Sequence, residues 1–352
     1  MSFCSHLCYS EDRKTFFVIG EISMKAFLKN TLTVLLAFFI LLAGVLAVQW
    51  FHQSDPESVI HYETDNNHIH ETTQISAHRS GAGIMPEETM MAFKNCVENQ
   101  GFLVDIFEFD LHITKDGVLV LLHDDDLDRT SDSEEVFGEK KCRPEDKTYE
   151  ELRQLNMGAK FETDEGEMPY AGLKGDEVPE DLRILALDDL LNYLESKGTF
   201  TYIIEIKNDG DLGKKGADIL YRTLVERNML DRVIFGTFHD EIASYVEETY
   251  PDMTRGASPK EVAGFLFAAL TGSEKYSPKC KVLQLPYKEG IASGYVNFGT
   301  TFFINYAHKN NLAVQYWTIN KEEEVRYLIS IGADCVMSDY PDVAYQIREK
   351  MD

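Results

Sequence analysis

The chain of 352 residues has little cysteine: six residues, at 4, 8, 96, 142, 280 and 335, too few and too scattered for a disulfide framework. None stands in a Cys-x-x-Cys or similar spacing, which argues against a zinc site. Positive charge is scarce as well, with 34 Lys+Arg against 60 Asp+Glu and a net charge of −26. A surface this acidic repels phosphate backbones instead of releasing their counterions, which excludes a general nucleic-acid binder. A phosphate-bearing substrate must then be drawn in locally, by a metal ion or a few placed cations. No internal repeat is visible. What is present is apolar material, 44% of residues, enough to bury a core and to exclude a disordered chain.

Long apolar runs are absent but for one. Residues 31–51, which include Leu35, Leu36, Phe38, Phe39, Ile40, Leu41 and Leu42, carry no charge and match the roughly 20 residues that cross a hydrocarbon core. Arg13, Lys14, Lys25 and Lys29 precede this stretch, and Asp55 and Glu57 follow it. The positive-inside rule therefore predicts a single-pass transmembrane helix in the cell membrane, with residues 1–30 cytoplasmic and the rest extracytoplasmic. A cleaved signal peptide is the rival reading, with Val45 and Ala47 as a poor cleavage signal. Residues 52–73 are polar and lack apolar periodicity, which reads as a tether, and its His61, His68 and His70 read as solvated.

From residue 74 to 352 short β-rich runs alternate with amphipathic ones. Strands are expected at 75–78, 103–110, 118–123, 201–206, 233–237, 253–256, 282–285, 314–318 and 335–338. Helices are expected at 87–99, 187–197, 216–228, 240–249, 301–310 and 322–331. Strand-then-helix units repeated over about 280 residues predict an α/β fold, a single (β/α)8 TIM barrel. Nine runs for eight staves leave one misplaced or accessory. The link over 111–117 is also too short for a parallel crossover, so the barrel is expected to be irregular there. Residues 124–183, rich in acids and glycine, read as a loop insertion over one barrel face.

Four of these strands end in polar residues that a buried strand should avoid: His78-Arg79, Glu108-Phe109-Asp110, His123-Asp124 and Glu205-Ile206-Lys207. Side chains alternate along a strand, so Glu108 and Asp110 share a face, as do Glu205 and Lys207. Three carboxylates on rigid strands make an all-oxygen donor set suited to Ca²⁺ or Mg²⁺. Arg79 offers a planar fork for phosphate oxygens, and Lys207 a point charge. Two histidines titrating near neutrality can divide the proton transfers of phosphodiester cleavage. Cys96 and Cys335 lie on apolar runs and read as small core residues; His112 and His239 read as non-catalytic.

The ordered set Ala77-His78-Arg79-Ser80-Gly81, Pro86-Glu87-Glu88-Thr89, Glu108-Phe109-Asp110, Thr114-Lys115-Asp116-Gly117, His123-Asp124 and Leu127-Asp128-Arg129-Thr130 resembles the glycerophosphodiester phosphodiesterases. The resemblance continues through Glu205-Ile206-Lys207, Thr237-Phe238, Trp317-Thr318-Ile319-Asn320, Gly332-Ala333-Asp334 and Ser338-Asp339-Tyr340-Pro341. It implies a TIM barrel of the phospholipase C-like phosphodiesterase type, hydrolysing glycerophosphodiesters to glycerol phosphate and an alcohol. It further implies His78 and His123 as the acid/base pair, and Glu108, Asp110 and Glu205 as ligands of a divalent cation, Ca²⁺ or Mg²⁺. Arg79 and Lys207 would bind the substrate phosphate and Trp317 would line the glycerol pocket. The membrane, through the N-terminal anchor, is the other expected partner; no protein partner is evident. Two departures stand out: Ser80 replaces the family's usual glycine, and Glu88 its usual asparagine, which is expected to add negative charge near the mouth. Cleavage of intact lipids, phospholipase C- or D-like, and non-catalytic glycerophosphate binding are the alternative functions.

Overall fold

The computed structural model describes residues 53–287 and 296–351, together with 29, 31–33, 35, 36 and 40. The chain divides into two compact units, Met1–His52 with Tyr295–Asn297, and Gln53–Gly294 with Phe298–Asp352. In the first unit the described residues up to 40 are helical, and Leu32, Leu35, Leu36 and Ile40 are exposed. Most of the apolar stretch 31–51 lies outside the described residues, as does everything before residue 29. Among the described residues no helix is long and apolar enough to cross a membrane.

The second unit is a barrel of parallel strands. β1 (Gln74–Ala77), β2 (Ile106–Ile113), β4 (Thr201–Ile206), β5 (Val233–Gly236), β6 (Val282–Pro286), β7 (Ala313–Trp317) and β8 (Cys335–Ser338) pair in the order β5-β4-β2-β1-β8-β7-β6. The remaining gap, between β5 and β6, is bridged by Phe235↔Arg255 and Gly256↔Val282. The run expected as a strand at 253–256 is therefore the eighth stave in position, but it makes single-residue bridges only. The run expected at 118–123 is the accessory one. It forms β3 (Leu119–Leu121), which folds back antiparallel on the end of β2, with His112 opposite Val120. A hairpin needs no crossover, which is how so short a link from 113 to 119 is accommodated.

Alternation along the strands separates two layers. In β2, Phe107, Phe109 and Leu111 face the outer core, which they share with Tyr202, Ile204 and Ile206 of β4 and with the helices. The inner layer takes Ile106, Ile203, Ile234, Val282, Ala313, Cys335 and Met337 from six strands. Both faces of β2 are buried, as a parallel central strand requires. The same alternation sends Glu108 and Asp110, beyond Ile106, and Glu205, beyond Ile203, into the barrel at its C-terminal end.

Helices cover the outside: α1 (Met90–Glu98), α2 (Leu187–Lys197), α3 (Gly210–Glu226), α4 (Asp240–Thr249), α5 (Pro259–Thr271), α6 (Thr301–Lys309), α7 (Glu322–Ser330) and α8 (Pro341–Glu349). Residues 124–183 build short helical turns around a small core of their own, with Leu127, Cys142, Leu152 and Leu155 packed against Val120 and Leu122.

Residues 53–73 are not a free tether. The Thr301 N–H, the first of α6, donates to Ser54 Oγ at 3.0 Å, while Thr300 makes no side-chain cap bond of its own. Ile60 N donates to Asn305 Oδ1 at 2.9 Å, and Asn66 Nδ2 donates to the carbonyls of Lys281 and Asn311. Thr73 Oγ1 then donates to the Ala333 carbonyl as the chain enters β1. The segment is a strap laid along α6. It lacks apolar periodicity because its grip is made by polar side chains and backbone groups.

Candidate active site

Register sets the centre of the site. Asp110 of β2 lies opposite Glu205 of β4, and Glu108 opposite Ile203, so the three expected carboxylates converge from two adjacent strands. Glu108 and Asp110 are buried and Glu205 nearly so. They line a cavity of about 710 Å³ that also receives His78, Arg79, His123 and Trp317. Lys207 Nζ lies 2.9 Å from Glu205 Oε1 and 3.4 Å from Asp110 Oδ1. The structure therefore brings all eight expected residues together at the C-terminal mouth of the barrel, the face where strands hand over to loops.

His78 and Arg79 sit on a tight turn just past β1. Arg79 and Ser80 have φ of 46° and 60°, and Glu88 has 56°, left-handed values that side chains other than glycine rarely take. Strain of this kind persists where surrounding bonds over-determine it. Here the Arg79 N–H donates to Glu108 Oε2 at 2.8 Å, and the Asp110 N–H donates to Glu88 Oε1 at 2.7 Å. The turn is thus fastened to the carboxylate strand by its backbone.

Each histidine carries a carboxylate behind it. His78 Nδ1 is 2.6 Å from Asp339 Oδ1, just beyond β8, and Asn320 Nδ2 donates to the other oxygen of Asp339 at 2.7 Å. His123 Nδ1 is 2.7 Å from Asp124 Oδ1. Arg129 then ties Asp124 to Glu87, donating through NH1 and NH2 to the two Glu87 oxygens at 2.7 Å each and through Nε to Asp124 at 2.6 Å. Glu87 also accepts from Arg79 NH1 at 3.2 Å. In the sequence, Asp339, Asp124, Glu87, Arg129 and Asn320 stand only as members of the motifs that carry the resemblance. Nothing in their spacing indicates which histidine each one serves.

The electrostatics follow from burial and crowding. Burial and the Asp110 charge push the Glu108 carboxyl up to about 7 and that of Glu205 to about 8. Burial works against the charge on Asp110 too, but Lys207, His123 and Arg79 outweigh it and hold Asp110 below its ordinary value. Burial likewise disfavours the ammonium of Lys207, yet Asp110 and Glu205 raise it above the ordinary range. For His78, burial is outweighed by the bond to Asp339 and the charge of Glu108, so the imidazolium is favoured.

The negative charge expected of Glu88 at the mouth is opposed by its surroundings. Burial, Asp110 and Glu87 raise its carboxyl well above the carboxylate range, which favours the neutral acid, and its Oε2 has no hydrogen-bond partner. His112 lies deeper in β2, lowered by burial to about 4, and His239 Nε2 is 2.8 Å from the Lys207 carbonyl. Neither lines the cavity.

The donor set fits a hard divalent cation: three crowded carboxylates, of which Glu108 and Glu205 resist ionisation, with Asp110 Oδ2 buried, 3.9 Å from Arg79 Nε and without a hydrogen-bond partner. Among the described residues, no three Asp, Glu, His or Cys side chains already converge closely enough to hold an ion. The Lys207 ammonium stands between Asp110 and Glu205 and supplies the positive charge there.

Residues 78–343 match the model of the glycerophosphoryl diester phosphodiesterase family. The chain belongs to that family. It is 26% identical over 281 residues to a glycerophosphodiester phosphodiesterase of Bacillus altitudinis, covering 79% of this chain and 99% of the relative. Among solved structures, the glycerophosphoryl diester phosphodiesterase domain of a Mycobacterium tuberculosis protein shares the fold, with a TM-score of 0.60 at 20% identity, over 78% of this chain and 99% of that one. So does an Oleispira antarctica phosphodiesterase solved with its product sn-glycerol-3-phosphate, with a TM-score of 0.57 at 19% identity, over 79% of this chain and 97% of that one. The family match begins at His78 and leaves the strap and everything before it outside.

Proposed function

We propose that this family member hydrolyses glycerophosphodiesters to glycerol 3-phosphate and an alcohol. The single observation that carries the reading is one cavity lined by two carboxylate-backed histidines, three acids and Arg79, with the Lys207 ammonium beside the acids. Family membership supports it, as does the product bound to the Oleispira phosphodiesterase.

Arg79 and Lys207 orient the phosphate and offset its charge, which grows in the transition state. One histidine takes the proton of the attacking hydroxyl, from water or from the substrate's own glycerol, and the other protonates the leaving alkoxide; where the glycerol attacks, water then opens the resulting cyclic phosphate with the same pair exchanging roles, giving glycerol 3-phosphate. The imidazolium favoured at His78 suits it to the donor's role, leaving His123 as the base. Asp339 and Asp124 hold the rings so that Nε2 faces the substrate. Glu108, Asp110 and Glu205 would hold a divalent ion, Ca²⁺ or Mg²⁺, whose chemistry is to neutralise the phosphodiester as a Lewis acid. Trp317, ringed edge-on by Phe238 at 5.8 Å, supplies an apolar wall for the glycerol carbons.

That wall extends through Ala257, Pro259, Val262 and Pro286, which supports a second reading in which the leaving group carries a hydrocarbon chain. Product analysis after incubation with Ca²⁺ or Mg²⁺ separates the two. Release of glycerol 3-phosphate from deacylated diesters supports the first reading. Turnover confined to acylated lipids favours the second, and saturable binding without turnover would leave a non-catalytic glycerophosphate receptor.

We also place the protein in the cell membrane through residues 31–51, N-terminus inside and barrel outside. The uncharged run, the preceding basic residues and the exposed leucines at 32, 35 and 36 support this.

A further inference from the structure

We propose that Gln284 is a specificity-determining residue that accepts a hydrogen bond from the terminal hydroxyl of the substrate's glycerol, the one farthest from phosphorus. This rests on the glycerophosphodiester reading and deepens it, because the charged centre leaves open how the uncharged end of the substrate is recognised.

The position of β6 in the barrel makes this contact reachable. Around the barrel the staves run β1, β2, β4, β5, the partial stave at 254–256, β6, β7 and β8, so β6 stands four staves from β2, on the opposite wall. The charged groups of the cavity come from β2, β4 and the segments just past β1 and β3. A phosphate held there leaves the glycerol carbons to extend along Trp317 of β7, toward β6. Between residues 257 and 286 the described lining is Ala257, Pro259, Val262, Gln284 and Pro286, so Gln284 is the one polar side chain on that wall.

Its carboxamide is held in place. Register puts Gln284 beside Gln315, two residues before the pair Pro286 and Trp317, so the amide lies about 7 Å deeper than the Trp317 wall. Gln284 Nε2 donates to Oε1 of the buried Gln315 at 3.3 Å. That bond leaves Gln284 Oε1 as the free end, and among the described residues nothing donates to it. Two glycines make room for this oxygen. A Cβ on Gly256 would stand 2.6 Å from Gln284 Oε1, an overlap, and one on Gly236 would stand 3.7 Å from the same atom and 3.6 Å from Glu205 Cβ. Neither glycine has a positive φ, so what each supplies is space. Gly236 lies opposite Glu205 in register, and Oε1 therefore projects across the two bare staves toward the acid side of the cavity.

An uncharged acceptor suits the place. A hydroxyl satisfies it, whereas a further carboxylate would join three already crowded ones. A site built to bond a substrate hydroxyl also rejects an analogue that lacks it, because its own polar group is then left unpaired.

The test measures kcat/KM of the full chain, supplied with Ca²⁺ or Mg²⁺, on two p-nitrophenyl diesters with the same leaving group. One is the diester of glycerol 3-phosphate and the other its 1-deoxy analogue, which lacks the terminal hydroxyl alone. The parent should prefer the glycerol diester by about tenfold or more. Gln284→Met, similar in length but without the amide oxygen, should reduce that preference to about threefold or less. Gly256→Ala, whose methyl displaces the amide without altering it, should reduce it in the same direction. Equal falls on the two diesters in Gln284→Met, a parent without preference, or, should Gln284→Met be insoluble, a preference kept by Gly256→Ala overturns the assignment and leaves the hydrolase reading standing. A parent that releases p-nitrophenol from neither diester overturns the hydrolase reading and this inference with it.

Discussion

His78 and Asp339 meet across the seam where β1 pairs with β8, ring nitrogen to carboxylate oxygen at 2.6 Å. Their strands are the first and last of the barrel, so a bond between them reports that the barrel has closed. Asp339→Asn should lower the His78 pKa, cut kcat by about tenfold or more and shift the alkaline limb of the pH profile to lower pH. The stability effect has a defined sign. His78 is raised, so its contribution is full below the unfolded value of 6.5 and fades as pH rises through the folded one. Asp339 is lowered, so its contribution is present above 3.8 and fades as pH falls through its folded value. Melting curves should therefore separate the two proteins most between about pH 4 and 6.5, and less at pH 9. A pH-independent difference would reject the pairing as an ionic one.

His78→Ala and His123→Ala should each lower kcat by about 10²-fold or more while leaving circular dichroism unchanged. A loss under about threefold in either would remove that residue from proton transfer.

Chelation with excess EDTA should abolish hydrolysis, and Ca²⁺ or Mg²⁺ should restore it, as an all-carboxylate donor set requires. Glu205→Gln should also weaken calcium binding measured by calorimetry, a readout independent of turnover. Full activity in EDTA would reject the metal assignment.

Ser80→Gly should stabilise the protein. The serine sits at φ 60° with its hydroxyl buried and without a partner. A left-handed side-chain residue costs roughly 1–2 kcal/mol, and the buried hydroxyl costs more, against roughly 0.5–1 kcal/mol for glycine's extra freedom when unfolded. The expected gain of about 1 kcal/mol should raise Tm by about 2 °C. A lower Tm would mean that the turn is fixed by bonds the serine makes.

Much of this was legible in the sequence for a definite reason. β4 and β8 carry apolar residues on both faces up to an abrupt polar end, so their bounds at 201–206 and 335–338 agree with the expectation, and Glu205 stands out. The stave at 254–256 could not be read as a partial one, because its backbone is held by single bridges while Arg255 turns its guanidinium onto Glu247 and Glu261. The supporting shell was hidden for another reason. Asp339 and Asp124 serve histidines that lie 261 residues and one residue away in sequence, and only folding distinguishes the two cases. The pressure against a charge on Glu88 was hidden too, because it comes from burial that its neighbours in sequence do not reveal.

The serine at 54 has a practical corollary for anyone trimming the protein. A version begun at residue 74, where the barrel's first strand opens, would expose the start of α6 and strip Asn305 and Asn311 of their partners. A cut just ahead of residue 53 instead takes away the apolar run at 31–51 yet keeps the clasp that the barrel wears on its flank.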